Sequence, residues 1–300
     1  MRILITGGSG LLGHKIVKEL CQDEHEIYAL QYKHDIPITC KKLFKVKLDL
    51  ANYIGVEDLI LKVEPEVVVH CAAYTHVDGC EVNKGYAWKI NVEATRSIVR
   101  ASRVVKSFLI YVSTDYVFDG ERGLYNETDI PNPISYYGLT KLIGEELVKS
   151  SDLLYTIVRP SAIYGVGAEK LNFATFVIEK LRKNEPVKAL TDQYVSPTLN
   201  TLLAKAIVEI IQLRPMGILH VAGERMNRYE FAVKLAEEMN LPKELIEKAE
   251  MKDMNWKAKR PKDSSLNISK AKHLLKTNFY ETSLALKTLK KEYLASKGVN

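Results

Sequence analysis

Two side chains four residues apart, Tyr137 and Lys141, carry the strongest chemical signal in the sequence. At the start of a predicted helix, Ile134–Ser150, the i,i+4 spacing stacks them on one face. A free phenol titrates near pH ~10 and is a poor proton shuttle at neutral pH unless a cation stabilises its anion, which an ammonium one turn away could do. An isolated pair of this kind reads more readily as a helix-surface Tyr and Lys, and Tyr136 next door leaves the register open. The chemistry therefore depends on what else lies near. Ser113-Thr114-Asp115-Tyr116 directly follows the apolar run Phe108–Val112, so these polar side chains emerge at the carboxyl end of a strand, where ligands of open α/β sheets bind.

A second signal sits at the amino end. Thr6-Gly7-Gly8-Ser9-Gly10-Leu11-Leu12-Gly13 contains a GxGxxG starting at Gly8 and a GxxGxxG starting at Gly7. Alone, either is only a tight turn. Here it follows the apolar strand Arg2–Thr6 and opens an apolar helix, Gly10–Cys21, so that backbone N–H groups and the helix dipole can hold a pyrophosphate. The next strand ends at Leu30-Gln31-Tyr32-Lys33-His34 and offers no carboxylate to the adenosine ribose. Gln31 and Lys33 are expected at that ribose, and Lys33, with His14 or Lys15, could meet a 2′-phosphate. NADPH is accordingly preferred, with NADH also usable. Asp49 and Leu50, after a strand around Phe44–Leu48, are expected at the adenine, although Asp49 reads equally as a helix N-cap.

The elements that must position these groups alternate. Short β-branched runs (Arg2–Thr6, Glu26–Leu30, Val67–Cys71, Phe108–Val112) are separated by helical periodicity, including a helix through Tyr86–Val104. Val67-Val68-Val69 and Phe108–Val112 are apolar on both faces, as strands of a parallel sheet covered by helices are. The expected fold is α/β, a Rossmann-type doubly wound parallel sheet over residues 1–160. Residues 161–300 are expected to form mainly a smaller, mixed α/β carboxyl-terminal substrate lobe, with some return of chain to the sheet. Leu154–Arg159 and Gly217–Ala222 read as strands, and Asn172–Lys183, Thr201–Leu213 and Arg228–Asn240 as helices. No internal repeat interrupts this order.

Composition narrows the partners. A 300-residue chain with 46% apolar residues can bury a large core, so disorder is excluded. The net charge of +6 is spread along the chain, which fits an anionic small molecule better than nucleic acid. No segment approaches the roughly 20 apolar residues of a membrane span, and no signal-peptide pattern opens the chain. The expected location is the cytoplasm. Cys21, Cys40, Cys71 and Cys80 show no CxxC pairing and are expected to be reduced. A metal site at His70, Cys71, His76, Asp78 and Cys80 is the rival reading of that segment, disfavoured by the absence of ligand-like spacing. The sequons at Asn126 and Asn267 are read as chance matches.

Taken together, Gly7-x-x-Gly10-x-x-Gly13 and Tyr137-x-x-x-Lys141 resemble the extended short-chain dehydrogenase/reductase superfamily. Ser113 through Gly120 resembles its dTDP-4-dehydrorhamnose reductase branch. The likeness spans nearly the whole chain through Ala72-Ala73-Tyr74-Thr75, Asn91, Arg159-Pro160, Asn172-Phe173, Asp192-Gln193 and Arg260-Pro261. It implies hydride delivery to a sugar C4 ketone, with Tyr137 protonating the developing alkoxide. Lys141 would lower the tyrosine pKa and bind the nicotinamide ribose, and Thr114 would hold the ketone oxygen. Gly7, Ser9, Gly10, Leu11, Leu12, Gly13, Ala72, Ala73, Tyr74 and Asn91 would line the cofactor. Thr75, Val77, Thr114, Asp115, Ala162 and Arg260 would line the nucleotide sugar, with Asp115 set behind the reacting groups. One departure stands out: Ala162 occupies a position where these reductases usually carry a tryptophan against the deoxysugar.

Three functions follow. The first is a reductase of a nucleotide-linked 4-keto-6-deoxysugar, dTDP-4-dehydrorhamnose foremost. The second is a nucleotide-sugar epimerase or dehydratase, which would retain its nicotinamide through turnover. The third is a non-enzymatic regulatory subunit like that of methionine adenosyltransferase, which resembles the same reductases. A homodimer is left open.

Overall fold

Alternate residues of the central strands face two different cores, and this explains why the strands are apolar throughout. The computed structural model describes residues 1–167 and 171–298. In it, β1 (Arg2–Thr6), β2 (Glu26–Gln31), β3 (Leu43–Lys47), β4 (Val67–His70), β5 (Phe108–Val112) and β6 (Tyr155–Arg159) form one parallel sheet. Ile3, Ile5, Val67, Val69 and Ile110 point into one core, and Leu4, Val68, Leu109, Tyr111 and Ile157 into the other. Each core is closed by helices, as a sheet buried on both faces requires.

On the first face lie α1 (Gly13–Leu20) and, much later in the chain, α8 (Asn200–Leu213), which brings Leu203, Ile207, Ile210 and Ile211. Val56 and Ile60 of α2 (Tyr53–Val63) and Ile98 of α5 (Ala94–Val105) close the second. Between β4 and α5 run two short helices, α3 (Val77–Val82) and α4 (Lys84–Trp88), and a π-helical turn, Lys89–Glu93. The sequence predicts one continuous helix over Tyr86–Val104. That helical run is present, and the π turn within it aims Asn91 back at the end of β4, as such turns often do at functional sites.

After α6 (Tyr136–Lys149) and β6 the chain leaves the sheet. It forms β7 (Ser161–Tyr164), α7 (Phe173–Arg182), β8 (Val187–Leu190), β9 (Tyr194–Val195) and β10 (Pro197–Leu199). Following α8 come β11 (Gly217–His220), β12 (Met226–Asn227), α9 (Arg228–Met239), β13 (Ile246–Ala249), α10 (Ser269–Leu274) and α11 (Thr282–Ser296). Three two-stranded sheets, β10 with β7, β12 with β9 and β13 with β8, build the smaller lobe. β11 instead returns to pair with β6, giving the sheet order β11-β6-β5-β4-β1-β2-β3. The order reverses between β1 and β4, and the crevice at that switch point is where a dinucleotide fits.

The cysteines correct one expectation. Cys21, at the end of α1, and Cys40, in the loop before β3, form a disulfide with Cα atoms 5.8 Å apart, and Cys71 and Cys80 take no part in a disulfide. No helix of the described residues is long and apolar enough to cross a membrane.

Candidate active site

The glycine turn is a backbone site in the strict sense that side chains cannot enter it. Gly7 adopts φ +70°, and a Cβ there would sit 2.9 Å from the Ala72 Cα, so the end of β1 and the segment after β4 approach backbone to backbone. A Cβ on Gly13 would lie 2.1 Å from the Gly7 carbonyl oxygen. Gly10 closes the turn by donating its N–H to that carbonyl at 2.9 Å. The residue capping α1, Leu12, supplies no side-chain acceptor; the N–H groups of His14 and Lys15 bond to the Gly10 and Leu12 carbonyls, while those of Leu11, Leu12 and Gly13 make no backbone hydrogen bond among the described residues and can meet an anion. This cradle, which a Cβ would fill, fits the pyrophosphate of a dinucleotide.

A cavity of about 570 Å³ runs from this turn along the carboxyl ends of the strands, with Gly7, Ser9, Gly10, Leu11, Leu12 and Gly13 at one end and Thr114, Tyr137 and Lys141 at the other. That volume suits a small-molecule or cofactor site. Its walls include Gln31, Asp49, Leu50, Ala72, Ala73 and Tyr74 on the cofactor side, and Thr75, Val77, Asp115 and Ala162 further along. It opens into a wider cleft of about 1490 Å³ bordered by Lys33, Phe173, Arg228, Trp256 and Arg260.

Four expected cofactor contacts fall elsewhere. Lys33 borders the outer cleft and not the inner cavity, exposed, with its Nζ 5.7 Å from the Tyr32 ring. Lys15 is buried in an ion pair with Glu292 of α11 at 2.9 Å, and His14 Nδ1 is hydrogen-bonded to the Gly10 carbonyl at 2.9 Å. Asn91 lies behind the cavity wall: its Oδ1 accepts from the Tyr74 N–H at 2.7 Å, and its Nδ2 donates to the Tyr74 carbonyl and the Thr140 hydroxyl. It therefore ties the post-β4 segment to the helix that carries Tyr137 and Lys141. Asp49 is not a helix cap, because Asn52 caps α2; its carboxylate accepts from the Ala51 N–H at 2.9 Å.

At the reacting end, the Ser135 hydroxyl caps α6 by accepting from the Gly138 N–H, and the first two turns of the helix present Tyr137 and Lys141 to the cavity. Tyr137 and Thr114 line the same cavity, and the Tyr137 ring meets Tyr116 edge-on at 6.0 Å. Burial pushes the Tyr137 phenol well above its ordinary value, with Thr114 opposing. Burial also pulls the Lys141 ammonium down to about 7, against the pull of Glu145. Its Nζ lies 4.1 Å from the centre of the Tyr111 ring, a cation–π contact. In the free protein, then, the lysine does not depress the phenol, because burial drives both groups toward their neutral forms.

Behind this pair stand two buried carboxylates. Asp115 accepts from the hydroxyls of Thr114 at 3.1 Å, Ser161 at 2.8 Å and Ser264 at 2.6 Å, and its carboxyl is held above the usual range because burial outweighs those bonds. It thus knots the ends of β5 and β7 to the segment leading into α10. Glu145, fully buried one turn beyond Lys141, accepts from Ser113 Oγ at 2.6 Å and from Arg159 at 2.8 and 2.6 Å. That bidentate pair fixes the catalytic helix on the sheet.

The metal reading finds no support in the geometry. His70 is hydrogen-bonded to Thr6 and Thr95, His76 caps α3, Asp78 pairs with Arg260 at 3.1 Å, and Cys80 donates to the Tyr74 carbonyl. No group of three or more such side chains among the described residues is placed to hold an ion.

Comparison with known proteins decides the lineage: the family described as RmlD substrate binding domain matches residues 1–294. The chain belongs to the RmlD substrate binding domain family. It is 44% identical to a hypothetical dTDP-4-dehydrorhamnose reductase from Sulfolobus tokodaii, over 93% of this chain and 97% of that one, with a TM-score of 0.84. It is 31% identical to the dTDP-4-dehydrorhamnose reductase of Bacillus anthracis solved in complex with NADP, over 97% and 99% of the two chains, with a TM-score of 0.86. It is also 32% identical to the methionine adenosyltransferase 2 subunit beta of Bos taurus, over 91% of this chain and 82% of that one. The branch and the α/β Rossmann-type fold inferred from the motifs agree with this placement.

Within the RmlD fold, several cavity residues have no signature in the sequence. Tyr32, Cys71, Tyr86, Ile163 and Arg228 all line the inner cavity. Cys71 is inert as a nucleophile, because burial pushes its thiol up to about 12. Ala162 reaches the wall at φ +42°, in the left-handed region that a residue with a Cβ rarely adopts.

Proposed function

We propose that this NAD(P)H-dependent oxidoreductase reduces the C4 ketone of a nucleotide-linked 4-keto-6-deoxysugar, with dTDP-4-dehydrorhamnose going to dTDP-L-rhamnose. One observation carries the reading: a phenol that burial keeps protonated, Tyr137, shares a cavity with the Thr114 hydroxyl, a buried lysine and a glycine cradle. NADPH, when bound, supplies the hydride. Thr114 and Tyr137 together offer hydroxyl donors to the ketone oxygen, which polarises it where charge develops. As the alkoxide forms, the phenol gives up its proton, which a raised pKa keeps in place until then. The Lys141 ammonium, one turn along the helix, stabilises the phenolate left behind. NADPH is preferred over NADH because the end of β2 offers Gln31 and Tyr32 in place of a carboxylate.

The test is NADPH oxidation followed at 340 nm over a panel of dTDP- and UDP-linked 4-keto sugars, with product identified by mass. Turnover of dTDP-4-dehydrorhamnose at one NADPH per sugar is expected. Absence of turnover with every sugar rejects the reading.

A second reading, a regulatory subunit, is favoured by Ala162 where the reductases usually carry a tryptophan. Stable association with a methionine adenosyltransferase, together with no reductase turnover, would favour it.

A further inference from the structure

Arg228 is the first residue of α9, held in place at its root. Its N–H donates to the Gln193 carbonyl at 3.2 Å, its Nε donates to Gln193 Oε1 at 3.3 Å, and its guanidinium carbon lies 5.1 Å from the centre of the Phe173 ring. Its two terminal nitrogens, in contrast, make no hydrogen bond or ion pair with any described residue. The side chain borders both the inner cavity with Tyr137 and Lys141 and the outer cleft with Trp256 and Arg260.

The charges around it do not close. Arg260 is close enough for the two cations to repel, but Arg260 is neutralised by Asp78 at 3.1 Å and packs near Trp256 at 5.3 Å. Asp115, a carboxylate whose charge reaches Arg228, is already engaged by three hydroxyls. Burial and Arg260 together push the Arg228 guanidinium below its ordinary value. A half-buried cation in this position needs an anion from outside.

We propose that Arg228 is a ligand of the substrate's diphosphate, gripping it opposite Arg260 and so setting how deeply the sugar enters. The inference rests on the nucleotide-sugar reading. In a substrate whose C4 reaches Tyr137 and whose nucleoside lies outward toward Trp256, the group at the junction of cavity and cleft is the diphosphate. A guanidinium with one edge anchored by Gln193 and its remaining donors free matches two phosphoryl oxygens better than a point charge would. Arg228 would thereby help exclude nucleoside monophosphates and fix the ketone against Thr114.

The experiment is calorimetric titration of dTDP, UDP, thymidine and NADPH into the wild-type protein, Arg228→Gln and Arg228→Lys. Wild type should bind dTDP or UDP more tightly than thymidine. Arg228→Gln should weaken the diphosphate by about 10- to 100-fold, the loss of charged hydrogen bonds, and Arg228→Lys should recover only part. NADPH affinity should stay within about twofold, because Gly7 and Gly13 are untouched. Unchanged diphosphate affinity in Arg228→Gln overturns the proposal and leaves the nucleotide-sugar reading intact. Equal losses for NADPH and diphosphate overturn it too, by making the residue structural. A wild-type protein that binds NADPH but neither diphosphate removes both.

Discussion

The two ends of the catalytic cavity are made of different material. At the glycine end the cradle is main chain: Gly7 against Ala72, Gly13 against Gly7, and the N–H groups of Leu11, Leu12 and Gly13, all within the first eighty residues. At the substrate end it is side chain, with Tyr116, Ala162, Phe173, Arg228 and Arg260 arriving from separate segments of the chain. A site cut from backbone tolerates little change and recognises a shared chemical part, the pyrophosphate. A site assembled from side chains can be respecified one residue at a time.

Glu145 ties α6 to the ends of β5 and β6 through Ser113 and Arg159, and its removal should have the largest effect. Glu145→Ala leaves Arg159, 1% exposed, with no carboxylate partner, at a cost of about 3–5 kcal/mol by the usual measure of broken buried pairs. Urea unfolding checks this; a loss below about 1 kcal/mol would mean the helix is fixed some other way. Gly13→Ala should separate the ends cleanly. A Cβ 2.1 Å from the Gly7 oxygen forces the turn apart and should weaken NADPH roughly 10- to 100-fold, typical of overpacking, while dTDP affinity holds. Parallel losses for both ligands would erase the distinction drawn here.

A smaller effect is expected in pH dependence. Lys141 must be charged to stabilise the phenolate, and its ammonium lies near 7 in the free protein. Its folded value is below its unfolded value, so raising the pH through about 7 removes the proton from the folded protein first. Accordingly kcat/KM, which reports the free enzyme, should fall above about pH 7; a flat profile to pH 9 would show that Lys141 keeps its charge. The smallest effect belongs to Lys33→Ala. An exposed residue outside the inner cavity should change NADPH affinity by less than about threefold, as surface charges generally do, whereas a tenfold loss would return Lys33 to the 2′-phosphate.

The sequence made the backbone end readable and the side-chain end only partly so. β1 and β5 have the predicted limits because apolar runs between polar turns mark strands buried on both faces. The helix expected over Tyr86–Val104 is present as a continuous helical run, but it carries a π turn at Lys89–Glu93 that the apolar spacing does not reveal, and only the Asn91 contacts with Tyr74 and Thr140 show its purpose. Neither α2 nor α11 announces itself, the latter with apolar and basic residues intermixed around the helix. Cys21 and Cys40 are nineteen residues apart, and nothing in that spacing tells that a loop folds back on α1. Arg228 looks like any helix-start arginine until β12 and β9 bring it to Gln193.

The central claim is that the Tyr137 hydroxyl delivers the proton to the sugar alkoxide. The direct measurement is single-turnover reduction of dTDP-4-dehydrorhamnose by the NADPH-loaded protein, wild type against Tyr137→Phe. The account predicts a fall of about 10²- to 10⁴-fold in the reduction rate, the range of general acid catalysis, with NADPH affinity unchanged. A phenylalanine variant that reduces the sugar as fast as wild type would contradict it.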